Sequence, residues 1–593
     1  MRNERKMLRL AAVLACVALI GAACGGGDDG DGSAQLPSED IPKGGTLRIA
    51  GVSDVDYMDP AAAYYTVTWT LMRGVVRTLT TYPAVADFEK QGVPVADLAT
   101  DAGQANDDFT EWSFTIKDGV RYGKALGGDD VPGVTGEEIV CDDFVYALER
   151  NFTASVGAGY PFYYEVIEGT TDFQDGKADT ISGVTCPDGP DGKTIVFTMT
   201  EPTGDFPYRA AMPALSPVPR AAAEKYDAKK TSEYADHMVA SGPYYVAEWT
   251  PGEHIQLERN EEWDAATDEI RKAYVDSVDW KLGFDNDVGV KKVQDGDYHM
   301  GLDVSPQGPA LEQTLQDPEL KERFVNEPSL CTRYLFMNTT VEPFDDIKVR
   351  EAVNWAVDRS ALKRLQGGPV TGEIAASILP EGIGGHLSAD EYNPFGTEGM
   401  AGDLEKGKEL MADAGFPDGY DKPILVVGAS DPPHDKYFES VRKNLEDLGF
   451  SNIEEKLPAF PNQYTQFYQE PSKKVAMGTS AGWCKDYNDA FTFFDPLFHG
   501  DNILPSGNQN YSSLNDPALN DAIDEAAALP PGADRDAAWE EVNRLATESA
   551  AWVPWTWDKE TIIYSEDLVN PIYNTFFSHI DWVVAGVKDS AAK

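Results

Sequence analysis

The chain has few basic residues for its length. Its 593 residues include 49 Lys and Arg against 100 Asp and Glu, which gives a formal net charge of −51. Such a surface repels nucleic-acid phosphates and anionic lipid headgroups, so we predict no nucleic-acid partner. Solubility or tolerance of salt is the simplest interpretation of the acidity, and attraction of cationic ligands is the alternative.

Sequence motifs for catalysis are also missing. The chain contains no Gly-x-Ser-x-Gly elbow, Walker loop or dinucleotide fingerprint, and its seven histidines form no metal or base motif. Ser360 and Lys363 match the Ser-x-x-Lys of penicillin-recognising enzymes, but the Lys-Thr-Gly partner is absent. We therefore predict that the protein is not an enzyme and has neither a metal nor a cofactor.

Long apolar runs are confined to the N-terminus. After it, no stretch reaches about 18 uninterrupted apolar residues, the length typical of a membrane span. The start, "MRNERKMLR", precedes a short apolar run that ends in small residues before Cys24. This order resembles a bacterial lipoprotein signal, with 1–23 as signal peptide and Cys24 as the lipidated residue. Gly21 replaces the usual Leu, and Cys16 is the second candidate.

The segment after Cys24 predicts a flexible tether over 24–42, because "GGGDDGDGS" has nothing to bury. Export also changes how the later cysteines are interpreted. In an exported protein an even set of four cysteines predicts two disulfides, and these four are Cys141, Cys186, Cys331 and Cys484. Three ways of pairing them remain open. No two of them have the short spacing typical of a zinc knuckle. Pairing the first two would close a loop of about 45 residues and stabilise the fold by about 4 kcal/mol.

The body of the chain divides into stretches with different predicted secondary structure. Residues 45–52 predict an opening strand, and alternating patterns with Pro-Asp-Gly turns over about 85–205 predict an inserted hairpin subdomain. From about 331 to 550 helices and strands alternate, which predicts an α/β lobe with a largely parallel sheet. One of its helices begins after Asp345 or Asp346 as the cap. Ligands lie beyond the carboxyl ends of strands in such sheets, where residues 482–487 fall.

The stretch "AGWCKDYNDAFTFFDP" places Asp486 among aromatic residues. An unpaired buried charge is expensive, so this carboxylate needs a partner. Lys485, an arginine or a helix N-terminus is one possibility, and a ligand cation is the other. Phe493 and Phe494 have helical spacing and are predicted to be core.

Five separated stretches resemble, in order, the family 5 solute-binding proteins of bacterial ABC importers, which include the oligopeptide and dipeptide receptors. They are "GGTLRIAGVSDVDYMDP", "FTIKDGVRYGKALGGDDVPGVTGEEIVCDDFVYALER", "ASGPYYVAEWTPGEHIQLERNEEW", "RYLFMNTTVEPFDDIKVREAVNWAVDRSAL" and "WCKDYNDAFTFFDPLF". The resemblance implies an α/β, two-lobed periplasmic-binding-protein-like fold of class II type, with an extra subdomain in the first lobe. The expected boundaries are 43–84 with 206–330 and 551–593 for lobe I, 85–205 for the inserted subdomain, and 331–550 for lobe II.

The same resemblance implies the site. Asp486 takes the place of the aspartate that meets a peptide's α-amino group, and Cys331 is expected to pair with Cys484, which leaves Cys141 with Cys186. The remaining expected ligand contacts flank Asp486 or lie in a loop of the first lobe: Trp483, Tyr487, Tyr64, Tyr65 and Trp69.

The predicted function is that of an extracytoplasmic, lipid-anchored, monomeric receptor. It would capture a peptide or peptide-like solute between its lobes and deliver it to an ABC permease in the membrane. A metal chelate, sugar, haem or opine as the solute is the alternative, as is a surface peptide sensor without transport.

Overall fold

A computed structural model describes residues 36–588, and within them the protein is mixed α/β. The strands are β1 Thr46–Gly51, β2 Thr80–Thr81, β3 Val95–Ala96, β4 Gln104–Ala105, β5 Glu111–Thr115, β6 Val184–Thr185, β7 Thr194–Thr198, β8 Tyr244–Thr250, β9 His254–Arg259, β10 Ser277–Lys281, β11 Met300–Leu302, β12 Phe324–Met337, β13 Gly372–Glu373, β14 Ile424–Val427, β15 Ile453–Lys456, β16 Met477–Cys484, β17 Trp552–Ile563, β18 Leu568–Val569, β19 Tyr573–Asn574, β20 His579–Ile580 and β21 Gly586–Val587. The α-helices are α1 Thr66–Val75, α2 Phe88–Gln91, α3 Cys141–Asn151, α4 Thr170–Gln174, α5 Phe206–Arg209, α6 Arg220–Asp227, α7 Asn286–Gln294, α8 Gly308–Gln316, α9 Pro318–Lys321, α10 Ile347–Ala356, α11 Arg359–Gln366, α12 Leu404–Asp413, α13 His434–Leu448, α14 Phe491–Phe498, α15 Pro517–Ala527 and α16 Ala533–Glu548.

The predicted signal peptide and its lipidation residue, Cys24, lie outside the described residues. The last part of the predicted tether, 36–42, lies within them and packs on the body. Ile41 is buried there, and the Ser38 hydroxyl is 2.5 Å from that of Tyr274. None of the helices in residues 36–588 has the length and apolar character needed to cross a membrane.

The first lobe is built around a five-stranded sheet of order β11-β1-β10-β9-β8. The opening strand β1 runs parallel to both of its neighbours, whereas β8, β9 and β10 form an antiparallel meander. A four-stranded antiparallel sheet, β4-β5-β7-β6, packs against the same core. Alternate residues of β5, Trp112 and Phe114, are buried in that core, as expected for a strand with one apolar face. A disulfide joins Cys141 at the start of α3 to Cys186, as predicted.

The second lobe is built around a six-stranded sheet of order β13-β17-β12-β16-β14-β15 that is covered by helices on both faces. Successive residues of β12 alternate between the two cores: Tyr334 packs with α14–α16 and Leu335 with α10–α13. Helix α10 begins after Asp346, whose carboxylate accepts a hydrogen bond from the Lys348 amide at 2.9 Å, so the predicted cap is confirmed. Phe493 and Phe494 are core residues, as predicted.

The prediction of a largely parallel sheet in this lobe is wrong. Only β16, β14 and β15 are parallel neighbours, whereas β12 pairs antiparallel with β16 and β17, and β13 pairs antiparallel with β17. Strands β14 and β15 are connected through helix α13, the kind of crossover that parallel neighbours require. Strands β12 and β17 carry the chain into and out of the lobe side by side, and they therefore run in opposite directions.

These two long strands connect the lobes. Val325 of β12 and Ile562 of β17 lie in the core of the first lobe, whereas Tyr334 and Trp552, further along the same strands, lie in the second. The predicted boundary at 330/331 falls inside β12, and the boundary at 550/551 falls just before β17. Continuous strands pass through the hinge without a turn, so no change in composition marks it.

Candidate functional site

A cavity of about 590 Å³ lies between the two lobes, lined by residues of both and by the strands that connect them. This volume is typical of small-molecule sites, which range over about 300–1,000 Å³. The first lobe lines it with residues 64–67 and 301–307 in part, and with the segment around Phe576. The second lobe lines it with residues 482–486.

The carboxyl end of β16 brings the aromatic-acidic motif to this cavity. Cys331 of β12 lies directly opposite Cys484 of β16 in the antiparallel register, and the two form the expected disulfide with a Cα–Cα distance of 4.0 Å. Asp486 follows two residues later in the cavity wall. The predicted position beyond the end of a strand is therefore the position that this motif occupies.

Asp486 is partly buried, and its carboxylate bonds across the lobes to a phenol. The Tyr163 hydroxyl of the first lobe donates a hydrogen bond to Asp486 Oδ2 at 2.5 Å. Burial raises the pKa of Asp486 from 3.8 to about 7, and the bond from Tyr163 and the charge of Lys485 oppose this rise. A cation bound next to Asp486 would therefore stabilise its charged form.

The neighbouring cation bonds elsewhere. The Lys485 ammonium donates to the Ser329 carbonyl oxygen at 3.2 Å and to Ser578 Oγ at 2.9 Å. Burial lowers the pKa of Lys485 to about 7, although the charges of Glu560 and Asp486 oppose the shift. In this structure the hydrogen-bond partner of Asp486 is therefore Tyr163 and not Lys485, the partner considered first from the sequence.

The aromatic residues expected from the first lobe line the cavity. Tyr64 stacks on Tyr160 with ring centroids 4.9 Å apart, and Trp69 stacks on Phe576 at 5.6 Å. Across the cavity, Trp483 donates its indole hydrogen to the Thr492 carbonyl oxygen at 2.9 Å, which holds the ring in place. Tyr65 also lines the cavity and is largely exposed.

Tyr487 is the exception among the expected ligand contacts. It is fully buried in the core of the first lobe, and its hydroxyl donates to Asp205 Oδ2 at 2.5 Å. Its ring contacts Tyr163 edge-on at 5.0 Å and does not line the cavity. The strand β16 ends at Cys484, and the chain bends at residues 486–489, which directs the Tyr487 ring into the core of the first lobe.

Three charged or titratable residues of the cavity were missed from the sequence: Asp303, Glu560 and His579. Burial and the nearby charges of Asp558 and Asp303 raise the pKa of Glu560 to about 7. Burial lowers the pKa of His579, whose Nε2 is 3.6 Å from Asp303 Oδ1. Nothing local identifies these residues, because Glu560 is only the last of three successive charged residues of β17, Asp558 to Glu560, and the packing of the lobes brings it to the cavity. No group of three or more His, Cys, Asp and Glu residues within 36–588 is placed to hold a metal ion.

Known proteins resemble this chain over most of its length. The sequence model for bacterial extracellular solute-binding proteins, family 5 middle region, matches residues 93–504. The periplasmic oligopeptide-binding protein OppA of Escherichia coli (strain K12) is 25% identical over 529 residues, which cover 87% of this chain and 88% of that protein. The glutathione-binding protein GsiB of Shigella dysenteriae is 24% identical over 386 residues, which cover 64% of this chain and 69% of that protein.

Solved structures agree with the two-lobed fold. The clavulanic acid biosynthesis oligopeptide-binding protein 2 superposes with a TM-score of 0.84 at 29% identity, covering 94% of this chain and 97% of that chain. The peptide-bound DppA of Helicobacter pylori superposes with a TM-score of 0.70 at 20% identity, covering 93% and 99%, and supports the fold alone. From the family match and the fold together, the chain belongs to the bacterial extracellular solute-binding proteins of family 5.

Proposed function

We propose that this protein captures peptides or peptide-like solutes in the cavity between its lobes and delivers them to an ABC permease. The observation that carries the proposal is the carboxylate of Asp486, which lies in the cavity wall with a phenol as its hydrogen-bond partner. A ligand ammonium would give it a charge-assisted hydrogen bond in a partly buried site. A free N-terminus is therefore the group that this wall selects.

The relatives support a peptide as the solute. Oligopeptide binding is part of the names of both the Escherichia coli protein and the structure with a TM-score of 0.84. A peptide offers an N-terminal ammonium for Asp486 and apolar side chains for the rings of Trp69 and Trp483. Hydrogen bonds to the peptide main chain, direct or through water, would supply affinity without fixing the sequence.

The mechanism that we propose is hinge closure around the solute. The lobes would move about β12 and β17, and the bound solute would favour the closed form that the permease recognises. The ligand leaves chemically unchanged, so the protein acts as a receptor and not as an enzyme. For the moving bodies we retain residues 43–84, 206–330 and 551–593 as lobe I, 85–205 as its inserted subdomain, and 331–550 as lobe II.

Native mass spectrometry of protein purified without denaturation tests the ligand class. We expect co-purified peptides, and a bound sugar, haem, opine or metal chelate in their place would contradict the proposal. Incubation with a peptide library should return every peptide intact, and cleavage would contradict the assignment as a receptor.

We also propose that the protein is a monomer held at the outer face of the cell membrane by a lipid on Cys24. Replacing this residue, Cys24→Ser, should release the protein from the membrane fraction into the medium. Cys16→Ser is the matched control and should leave the protein membrane-bound. The reverse pattern would place the lipid on Cys16.

A further inference from the structure

We propose that the cavity holds a second cationic group of the ligand against Glu560 and Asp303, so that the solutes are basic peptides with arginine as the favoured side chain. This inference rests on the proposed function, because it assigns a second contact to the same peptide. It concerns two carboxylates of the cavity lining other than that of Asp486.

The first observation is the imbalance of charge in the cavity wall. Three carboxylates line it, Asp303, Asp486 and Glu560, against one lysine, Lys485. The hydrogen bonds of that lysine go to Ser329 and Ser578, and not to a carboxylate. A ligand with one ammonium on Asp486 would leave the other two acids facing the cavity.

The second observation is that the nearest protein cations do not bond to Glu560. Arg333 and Lys485 are the cations whose charge acts on it, and both are engaged elsewhere. The Arg333 guanidinium pairs with Asp558, with Nε 2.7 Å from Oδ2. Burying a carboxylate without a bonded cation is costly, and a ligand cation that reaches Glu560 removes that cost.

Asp303 also lines the cavity, and it is close enough to Glu560 for its charge to raise the pKa of that group. Its Oδ2 accepts a hydrogen bond from Ser53 Oγ at 2.9 Å, and its Oδ1 is 3.6 Å from His579 Nε2, beyond a normal hydrogen bond. Burial lowers the pKa of the His579 imidazole and thus disfavours a positive charge on this ring, although the charge of Asp303 opposes the shift. Asp303 and Glu560 thus add a second negative pole to the one at Asp486.

The aromatic lining favours guanidinium over ammonium. Trp69 and Phe576 are stacked on the first-lobe side, and Trp483 lies on the second-lobe side of the same cavity. A guanidinium is planar and weakly hydrated, so it stacks on aromatic faces while it donates hydrogen bonds to a carboxylate in its own plane. Arginine therefore fits both features of the cavity at once.

Titration calorimetry with matched peptides tests this assignment. The probes are alanine tripeptides to pentapeptides with a free N-terminus, carrying either arginine or the uncharged, near-isosteric citrulline at one position. For the full mature chain we expect the best arginine peptide to bind at least about tenfold more tightly than its citrulline partner. In Glu560→Gln this ratio should fall to near one, while the citrulline peptide keeps its affinity within about twofold.

Glu454→Gln is the matched control, because Glu454 is an exposed residue of the edge strand β15 and lies outside the cavity. It should keep the full arginine preference. Asp303→Asn, a change at an exposed side chain, should reduce the preference in part and serves as the second variant if Glu560→Gln folds poorly.

The outcomes separate the two proposals. Equal binding of arginine and citrulline peptides, or a preference that survives both Glu560→Gln and Asp303→Asn, overturns the inference and leaves peptide capture standing. If no peptide of either series binds, the proposed function fails and this inference fails with it.

Discussion

The hydroxyl of Tyr487, which follows β16 of the second lobe, donates a hydrogen bond to Asp205 Oδ2 of the first lobe at 2.5 Å. Asp205 is buried and also pairs with Arg209 through two bonds of 3.1 Å. On the side of the second lobe, Arg535 pairs with Asp489 at 2.8 Å. The lobes are thus joined by a buried polar contact at a position one residue beyond the cavity-facing Asp486.

Removal of this contact should destabilise the protein. Tyr487→Phe deletes one of the donors to the buried Asp205, and a hydrogen bond to a charged group contributes about 1.5–3 kcal/mol. The free energy of unfolding in urea should fall by that amount. Tyr334→Phe is the matched control, because the buried Tyr334 hydroxyl has no hydrogen-bond partner among residues 36–588 and its loss should cost little. Equal losses in the two variants would show that the Tyr487 bond contributes nothing.

Asp486→Asn should weaken peptide binding by at least about tenfold, because losing one charge of a buried pair costs about 2–5 kcal/mol. N-acetylation of the peptide should weaken binding to the unaltered protein in the same way, since it removes the ammonium. Thermal stability should be unchanged or slightly higher, because the substitution removes a partly buried charge. Asp421→Asn, at an exposed position, is the control and should bind normally. Unaltered affinity in Asp486→Asn would mean that the ammonium binds elsewhere.

Peptide affinity should depend on pH through the same carboxylate. The pKa of Asp486 in the ligand-free protein is about 7, so protons compete with the ligand ammonium below that pH. Affinity should fall as the pH is lowered from 7, by up to about tenfold per unit. Tyr64, Tyr160, Tyr163 and Lys485 surround this group electrostatically, and Lys485 itself titrates near 7.

The contribution of Asp486 is therefore the difference between the pH profiles of the unaltered protein and Asp486→Asn. Identical profiles would assign the dependence to Glu560 or Lys485.

The folding stability of the ligand-free protein should depend on pH in the opposite direction, because it should rise as the pH is lowered. A carboxyl whose pKa rises from 3.8 to about 7 on folding stabilises the fold fully below pH 3.8, and this stabilisation is lost as the pH rises to about 7.

The two disulfides should differ in what their loss affects. On the chain-entropy model, replacing both members of Cys331–Cys484, 153 residues apart, costs about 5 kcal/mol of unfolding free energy. Replacing Cys141–Cys186, 45 residues apart, costs about 4 kcal/mol. Cys331 and Cys484 also line the cavity, so only their replacement by serine should weaken peptide binding under conditions in which both variants remain folded. A loss of binding in the Cys141 and Cys186 variant alone would contradict this assignment.

Much of the local structure was predictable from the sequence because it depends on near neighbours. The cap at Asp346, the alternation of β5 and the strand that runs into the Asp486 motif each follow from residues within one turn or one strand. The Cys331–Cys484 pair was expected from the resemblance to the family, not from spacing, and the structure forms it.

The cavity wall was only partly predictable. Asp486, Trp483, Tyr64, Tyr65 and Trp69 line it as expected, whereas Tyr487 turns into the core of the other lobe. Asp303 and Glu560 carry no local signal.

The sequence by itself determined the family, the leader-like N-terminus as a prediction, and individual elements such as the opening strand β1, the alternating strand β5 and the capped helix α10, because these depend on local propensity and on patterns shared with relatives. Tertiary structure alone decided the mixed strand order of the second lobe, the direction of Tyr487 and the charge balance of the cavity. The reason is physical: the surroundings of a side chain such as Glu560 are made by residues such as Asp303 and Lys485, which are far away along the chain and meet it only when the lobes pack.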